Sequence, residues 1–198
     1  MIVSREEAAR NRERVIEAAA RLFRERGFDG IGVAALMKEV GLTHGGFYGH
    51  FASKEELEVQ ACKRALDRSL ERWKQRAERA PDAPLAAIAD PYLSTAHRDH
   101  PGAGCLIAAL GQDVSRRGPG VRQAVTAYLN AAFEFLAGLV PGSSRAARRR
   151  KAIDTYARLV GALVLARAVD DEALSQEILD SVRQALPSAA GPTPDTAK

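Results

Sequence analysis

Residues 31–54, reading Ile-Gly-Val-Ala-Ala-Leu-Met-Lys-Glu-Val-Gly-Leu-Thr-His-Gly-Gly-Phe-Tyr-Gly-His-Phe-Ala-Ser-Lys, constrain this chain more than any other stretch. A short helical pattern over residues 33–40 stops at Gly41, a residue able to close a helix in the left-handed conformation without strain. Thr43 is a good N-cap for a second helix, about 44–50. Two short helices joined by so tight a turn leave few folds open. Ser53, with Glu56 three residues on, is a capping box that starts a further helix at once.

The flanks are helical too. Over residues 5–26, Val15, Ile16, Ala19, Leu22 and Phe23 make one apolar stripe, and Gly27 ends it. Residues 54–79 place Leu57, Ala61, Cys62, Leu66, Leu70 and Trp73 on one side, and Pro81 and Pro84 stop that helix. Further helices are predicted over about 84–97 (kinked or split by Pro91), 103–114, 119–139, 145–168 and 172–186. Residues 187–198, rich in Pro, Ala, Gly and Thr, read as a disordered tail. Strand signals are nearly absent, so the expected class is all-α, with about nine helices.

Composition narrows the function. The net charge is +4, so binding to a polyanion has to come from local placement of charge. Two cysteines, Cys62 and Cys105, are too few for a disulfide framework, and no metal-ligand spacing occurs. The longest apolar stretch, residues 159–166, is too short to cross a membrane, and with Arg and Glu interrupting the first 20 residues no leader is expected there. A cytoplasmic protein with reduced thiols, no metal, no cofactor and no membrane contact is expected. An enzyme is not, because no nucleophile–base–orienter set and no Gly-rich phosphate loop is present. The competing classes are a small all-α enzyme using Cys105 with His97 or His100, and an architectural DNA-binding protein with a solid core and no effector.

A helix-turn-helix offers the N-terminal end of its second helix to base edges in the major groove of double-stranded DNA. Here that end is Thr43-His44-Gly45-Gly46. Two glycines cost about 1 kcal/mol each in a helix but let backbone approach DNA closely. His44 is the candidate base reader, with Thr43 and the Gly45 backbone beside it. Tyr48, His50 and Lys54 are placed for phosphates, where the start of the following helix adds unbonded N–H groups. Phe47 and Phe51 read as core. Val33 and Ala34 face the groove, and Arg5, Arg10, Arg12 and Arg14 read mainly as a solvated helix face, the alternative being an arm that reaches phosphate or the minor groove. One short helix covers too few base pairs, so two copies are needed. Residues 153–168 are apolar around much of the helix, with small residues at Ala157, Gly161 and Ala162, and Leu174, Ile178, Leu179, Val182 and Leu186 follow at helical spacing. That pattern suits burial on two sides, one of them against a partner copy.

The block Gly27-Phe28-Asp29-Gly30, Val33, Leu36-Met37 and Val40-Gly41-Leu42-Thr43-His44-Gly45-Gly46-Phe47-Tyr48-Gly49-His50-Phe51-Ala52-Ser53-Lys54-Glu55 resembles the N-terminal DNA-binding domain of TetR-type (TetR/AcrR) transcriptional regulators. The detailed match covers about residues 10–60. Two departures stand out: Gly32 replaces the usual Ser or Thr, and Met37 replaces a small residue where two helices approach. The resemblance implies a three-helix DNA-binding domain over 1–53, an effector-binding and dimerisation domain over 54–186, and a homodimer through the last two helices. It implies a repressor released from a palindromic operator by an unknown small-molecule effector. Trp73, Tyr92, His97, Cys105, Tyr128, Phe133 and Phe135 are the candidate pocket residues. Cys105, near a helix start that lowers a thiol pKa, gives an alternative: an electrophile or redox sensor of the same fold.

Overall fold

Specific residues set each helix boundary in the computed structural model, which describes residues 4–186. Ser4 accepts a hydrogen bond from the Glu7 N–H at 3.1 Å and starts α1 (Arg5–Arg26). Gly27, at φ 79°, ends it. Helix α2 (Val33–Glu39) closes in a Schellman motif: Leu42 N–H reaches Met37 O at 2.9 Å and Gly41 N–H reaches Lys38 O at 3.0 Å. Gly41 has φ 71°, which is why a side-chain-bearing residue is costly there. Thr43 then accepts from Gly46 N–H at 3.3 Å.

The segment after Thr43 departs from expectation in one respect. His44–Gly49 is a 3₁₀ helix, not an α-helix. Two glycines weaken the α form there, and the tighter winding still buries Phe47. Ser53 caps α3 (Lys54–Arg79) as the capping box requires, accepting from Glu56 N–H at 3.1 Å. The Glu56 carboxylate turns back one residue further than expected and takes the Ala52 N–H at 2.8 Å.

Beyond α3 lie α4 (Pro84–Tyr92), α5 (Thr95–Asp99), a 3₁₀ turn (Pro101–Ala103), α6 (Leu106–Val114), α7 (Pro119–Ala137), α8 (Arg145–Ala168) and α9 (Glu172–Ala185). The stretch 84–97 is split, but Pro91 itself lies inside α4; the break comes at Leu93 and Ser94, and Ser94 caps α5 through His97 N–H at 3.2 Å. Residues 187–198, expected to be a disordered tail, lie outside the described residues. No strand occurs among the described residues, and no helix among them is long and apolar enough to cross a membrane.

The chain divides into two compact units. One comprises residues up to 70 together with 100–130. In it α1 packs against α2, the 3₁₀ turn and α6, and the core holds Val15, Ile16, Leu22, Phe23, Phe28, Leu36, Met37, Phe47, Phe51 and Leu57. The other comprises residues 71–99 and those from 131 onward. There α8 packs against α9, α5 and α4, around Trp73, Ile88, Tyr92, Tyr156, Leu159, Leu163 and Leu179.

Candidate nucleic-acid interface

The turn after α2 presents a small exposed tip on a rigid base. Phe47 is fully buried and stacks on Phe51 with ring centroids 5.3 Å apart. That pair anchors the 3₁₀ helix, leaving Thr43, His44, Gly45 and Gly49 exposed and Gly46 and His50 half-buried. Tyr48 is 66% exposed, so it is not a packed aromatic of the core. Its ring meets His44 edge-on at 6.2 Å and Phe47 at 5.3 Å, which holds two polar-tipped rings outward together.

The glycines of this tip are not required by the fold. Gly45 and Gly49 have no positive φ, and nothing lies within 4 Å of where a Cβ would stand on either. At Gly46 a Cβ would make only ordinary contacts, with Thr43 Oγ1 at 3.5 Å and Met37 Cε at 3.8 Å. Gly45→Ala is therefore expected to raise unfolding stability by about 0.5–1 kcal/mol, the ordinary Gly-to-Ala gain. Denaturant unfolding checks it; a loss of stability would mean that the fold itself needs this glycine.

Around the tip, cations are held by protein groups. Lys54 donates to the Phe28 carbonyl at 2.6 Å, which uses one of three donors and leaves its ammonium half-buried at the start of α3. Arg12 pairs with Glu56 at 3.3 Å and lies over the Phe51 ring at 5.0 Å. Arg14 caps α2 by donating to Val40 O at 2.6 Å, and Arg10 makes only a long exposed pair with Glu6. Sequence reasoning placed Arg12 and Arg14 on a solvated face. Their partners lie 44 and 26 residues away respectively, separations that leave no local signal.

Sequence reasoning also missed Arg117. Its guanidinium pairs with Asp29, approaches Glu58 at 3.8 Å and lies 4.8 Å over the Phe28 ring. The hydrogen bond from Arg117 holds the Asp29 carboxyl below the usual range, whereas burial pushes the Glu58 carboxyl up.

The expected pocket residues separate. In one unit, Trp73 meets Tyr92 at 6.1 Å and Tyr156 at 5.8 Å, Tyr92 meets His97 at 4.6 Å, and Phe133 meets Tyr156 at 5.5 Å. Four of the named residues therefore join one chain of aromatic rings, His97–Tyr92–Trp73–Tyr156–Phe133, through Tyr156, which was not among them. The buried series Ala152, Thr155, Tyr156, Leu159 and Leu163 on α8 is the periodic signal that points Tyr156 inward. Cys105 and Tyr128 belong to the other unit, both buried, and Phe135 is half-buried on α7. Cys105 is the N-cap of α6 but only 4% exposed. Cys62 is buried on α3, and burial pushes its thiol up to about 12. Among the described residues, no group of three or more His, Cys, Asp or Glu is arranged to hold a metal.

The outer face of α8 shows Ile153, Val164 and Leu165, and α9 adds Leu174, all large apolar side chains left exposed.

Comparison with known proteins agrees on the N-terminal segment. Residues 15–60 match the family described as bacterial regulatory proteins, tetR family. An uncharacterized HTH-type transcriptional regulator of Bacillus subtilis (strain 168), YerO, is 36% identical over 63 residues, which are 32% of this chain and 22% of that protein. An HTH-type transcriptional regulator of Staphylococcus aureus (strain USA300) is 37% identical over 71 residues, 36% of this chain and 38% of that protein. The chain thus spans well under half the length of these curated relatives. The fold is shared more widely. The reduced form of Escherichia coli NemR superposes with a TM-score of 0.74 at 23% identity, over 89% of this chain and 94% of that one. A TetR transcriptional regulator from Legionella pneumophila gives 0.74 at 17% identity, over 94% and 99%.

Proposed function

We propose that this chain, whose residues 15–60 match the tetR family of bacterial regulatory proteins, is a homodimeric repressor, released from a palindromic operator by a small molecule. The observation that carries the DNA assignment is the exposed tip of Thr43, His44, Gly45 and Tyr48, fixed from beneath by the buried Phe47–Phe51 pair. A rigid base with small, polar, outward groups suits entry into a major groove. Residues 1–53 form the DNA-binding part in this reading, and 54–186 the effector-binding and dimerisation part.

His44 and the Thr43–Gly46 backbone read bases, while Tyr48, His50 and Lys54 hold phosphates and set register. Lys54→Ala is expected to weaken binding to all sequences alike and to lower the salt slope by about one. His44→Ala changes sequence preference as well. Uniform weakening from both, measured on a panel of single-base operator variants, would remove His44 from base readout. Gly45→Ala, although stabilising, is expected to weaken DNA binding about tenfold, roughly 1.4 kcal/mol.

The outward apolar side chains of α8 and α9 suit a partner copy, and a two-fold pair matches a palindrome. The effector site lies at the aromatic cluster of Trp73, Tyr92, His97, Phe133 and Tyr156. Release requires the effector to bind the DNA-incompetent state more tightly. Selection of bound DNA from random oligonucleotides tests the whole reading. It predicts an enriched palindrome, and its absence would sink the assignment.

The thiol-sensor alternative rests on Cys105 at the α6 N-cap, and its burial opposes it. The expected result is that a thiol reagent modifies neither cysteine rapidly in native protein and both after unfolding. Fast native modification of Cys105, with operator release, would revive the alternative.

A further inference from the structure

Lys54 carries its charge on a flexible four-carbon stem, so something has to aim it. One bond does so directly, from Nζ to the Phe28 carbonyl at 2.6 Å. That carbonyl belongs to the loop after α1, so whatever fixes the loop fixes the ammonium.

Arg117 is the group that grips this loop. Its guanidinium lies 4.8 Å over the Phe28 ring and is bonded to the Asp29 carboxylate, two consecutive loop residues. It also stands 3.8 Å from the buried Glu58 on α3. Bonding to a carboxylate and stacking on a ring at once is a use of the planar guanidinium that an ammonium does not reproduce.

The backbone next to Arg117 is pressed on the same turn of α3. A Cβ on Gly118 would stand 2.0 Å from the Glu55 carboxylate oxygen, and one on Gly120 would stand 2.8 Å from Val59. Residues 117–120 therefore seat against Glu55, Glu58 and Val59, on the first two turns of the helix that begins with Lys54. Two independent features, a guanidinium on the loop and glycines on the helix, converge on one lysine.

We propose that Arg117 is a positioning residue for the phosphate contact of Lys54: it holds the Phe28–Asp29 loop, and the loop carbonyl aims the ammonium. This rests on the DNA-binding reading above. It gives the turn between α6 and α7 a handle on DNA affinity without any contact to DNA.

The test is a double-mutant cycle on the full-length chain with its selected operator, read as affinity against salt. Arg117→Gln is expected to lower affinity about fivefold to tenfold, the scale of a lost charge-assisted bond. It should also reduce the salt slope by about one, as Lys54→Ala does. The pair together should be no worse than Lys54→Ala alone, the signature of residues acting as one unit. Asp29→Asn, at an exposed carboxylate, should move affinity and slope in the same direction by less; it decides the matter if Arg117→Gln fails to fold. In the absence of DNA, the acetylation rate of Lys54 relative to the other lysines, read by mass spectrometry, should rise in Arg117→Gln and Asp29→Asn. Unchanged slopes, losses that add fully to that of Lys54→Ala, or an unchanged acetylation rate would each overturn the proposal. A wild-type chain that binds no DNA would sink the DNA reading instead, and the acetylation rates would still decide what Arg117 does to Lys54.

Discussion

Leu165→Glu is expected to yield a folded monomer whose operator affinity is lower by two to four orders of magnitude. Leu165 is 56% exposed on α8, beside Val164 and on the helix that also exposes Ile153. In a two-fold pair the substitution enters the interface twice. A carboxylate forced against apolar side chains costs several kcal/mol unless it finds a partner, so the pair comes apart. Each released copy then binds one half-site, and the gain from linking two sites, about 10²–10⁴, is lost. The fold should survive, because the mutated side chain faces solvent within one copy. Sedimentation gives the oligomeric state, circular dichroism the helix content and a titration the affinity. A dimeric Leu165→Glu protein, or a monomer with full operator affinity, would refute the assignment of this face.

The second large effect concerns acid. Stability is expected to fall by about 3 kcal/mol on account of His97 alone as pH drops from about 6.5 to about 4. His97 is largely buried, which pushes its pKa down to about 4, and Arg167, Arg72 and Arg76 add repulsion. Its Nδ1 lies 2.7 Å from the Tyr92 carbonyl, so the neutral ring donates from that nitrogen. The sign follows from proton counting. Between pH 4 and 6.5 the unfolded chain holds a proton on this ring and the folded chain does not, so acid favours unfolding. The contribution is full above about 6.5 and gone below about 4; a depression of that size corresponds to roughly 3 kcal/mol. Other carboxylates titrate in the same range, so the measurement is a difference: wild type against His97→Gln in urea at several pH values. The His97→Gln protein should be flatter across this window. Parallel curves would show that His97 titrates normally in the folded chain. The sole tryptophan, Trp73, lies in the same cluster and reports the unfolding by fluorescence.

Much of the fold was legible because its punctuation is local. Gly27, Gly41, Ser53 and Pro84 act within a turn of where they stand, and the helices begin or end at them. The winding of His44–Gly49 was not legible. Phe47 and Phe51, four apart, would share a face in an α-helix, and they also stack here with Phe51 beyond the end of the 3₁₀ helix, so apolar spacing does not separate the two forms. Whether Lys54 is tethered, and by what, depends on a carbonyl 26 residues away and a guanidinium 63 residues on, neither of which leaves a periodic trace. The aromatic residues were recognisable by type, but only folding decides that Trp73, Tyr92, His97 and Phe133 join one chain of rings with Tyr156 while Tyr128 and Cys105 belong elsewhere. The role of each tip residue on DNA was likewise inferred from residue type and the turn's geometry.

Helix α8 has two faces with different neighbours. Tyr156 looks inward to Trp73 and Phe133, and Ile153, Val164 and Leu165 look outward. In the proposed pair, a molecule that leans on Tyr156 therefore leans on the same rod that a second copy would rest upon. Its arrival should register as a change in the strength of self-association, visible with no DNA in the tube. By reciprocity, concentrating the protein should tighten or loosen its hold on that molecule. The quantity to screen against a library of small molecules is thus the monomer–dimer balance, which requires no knowledge of the operator.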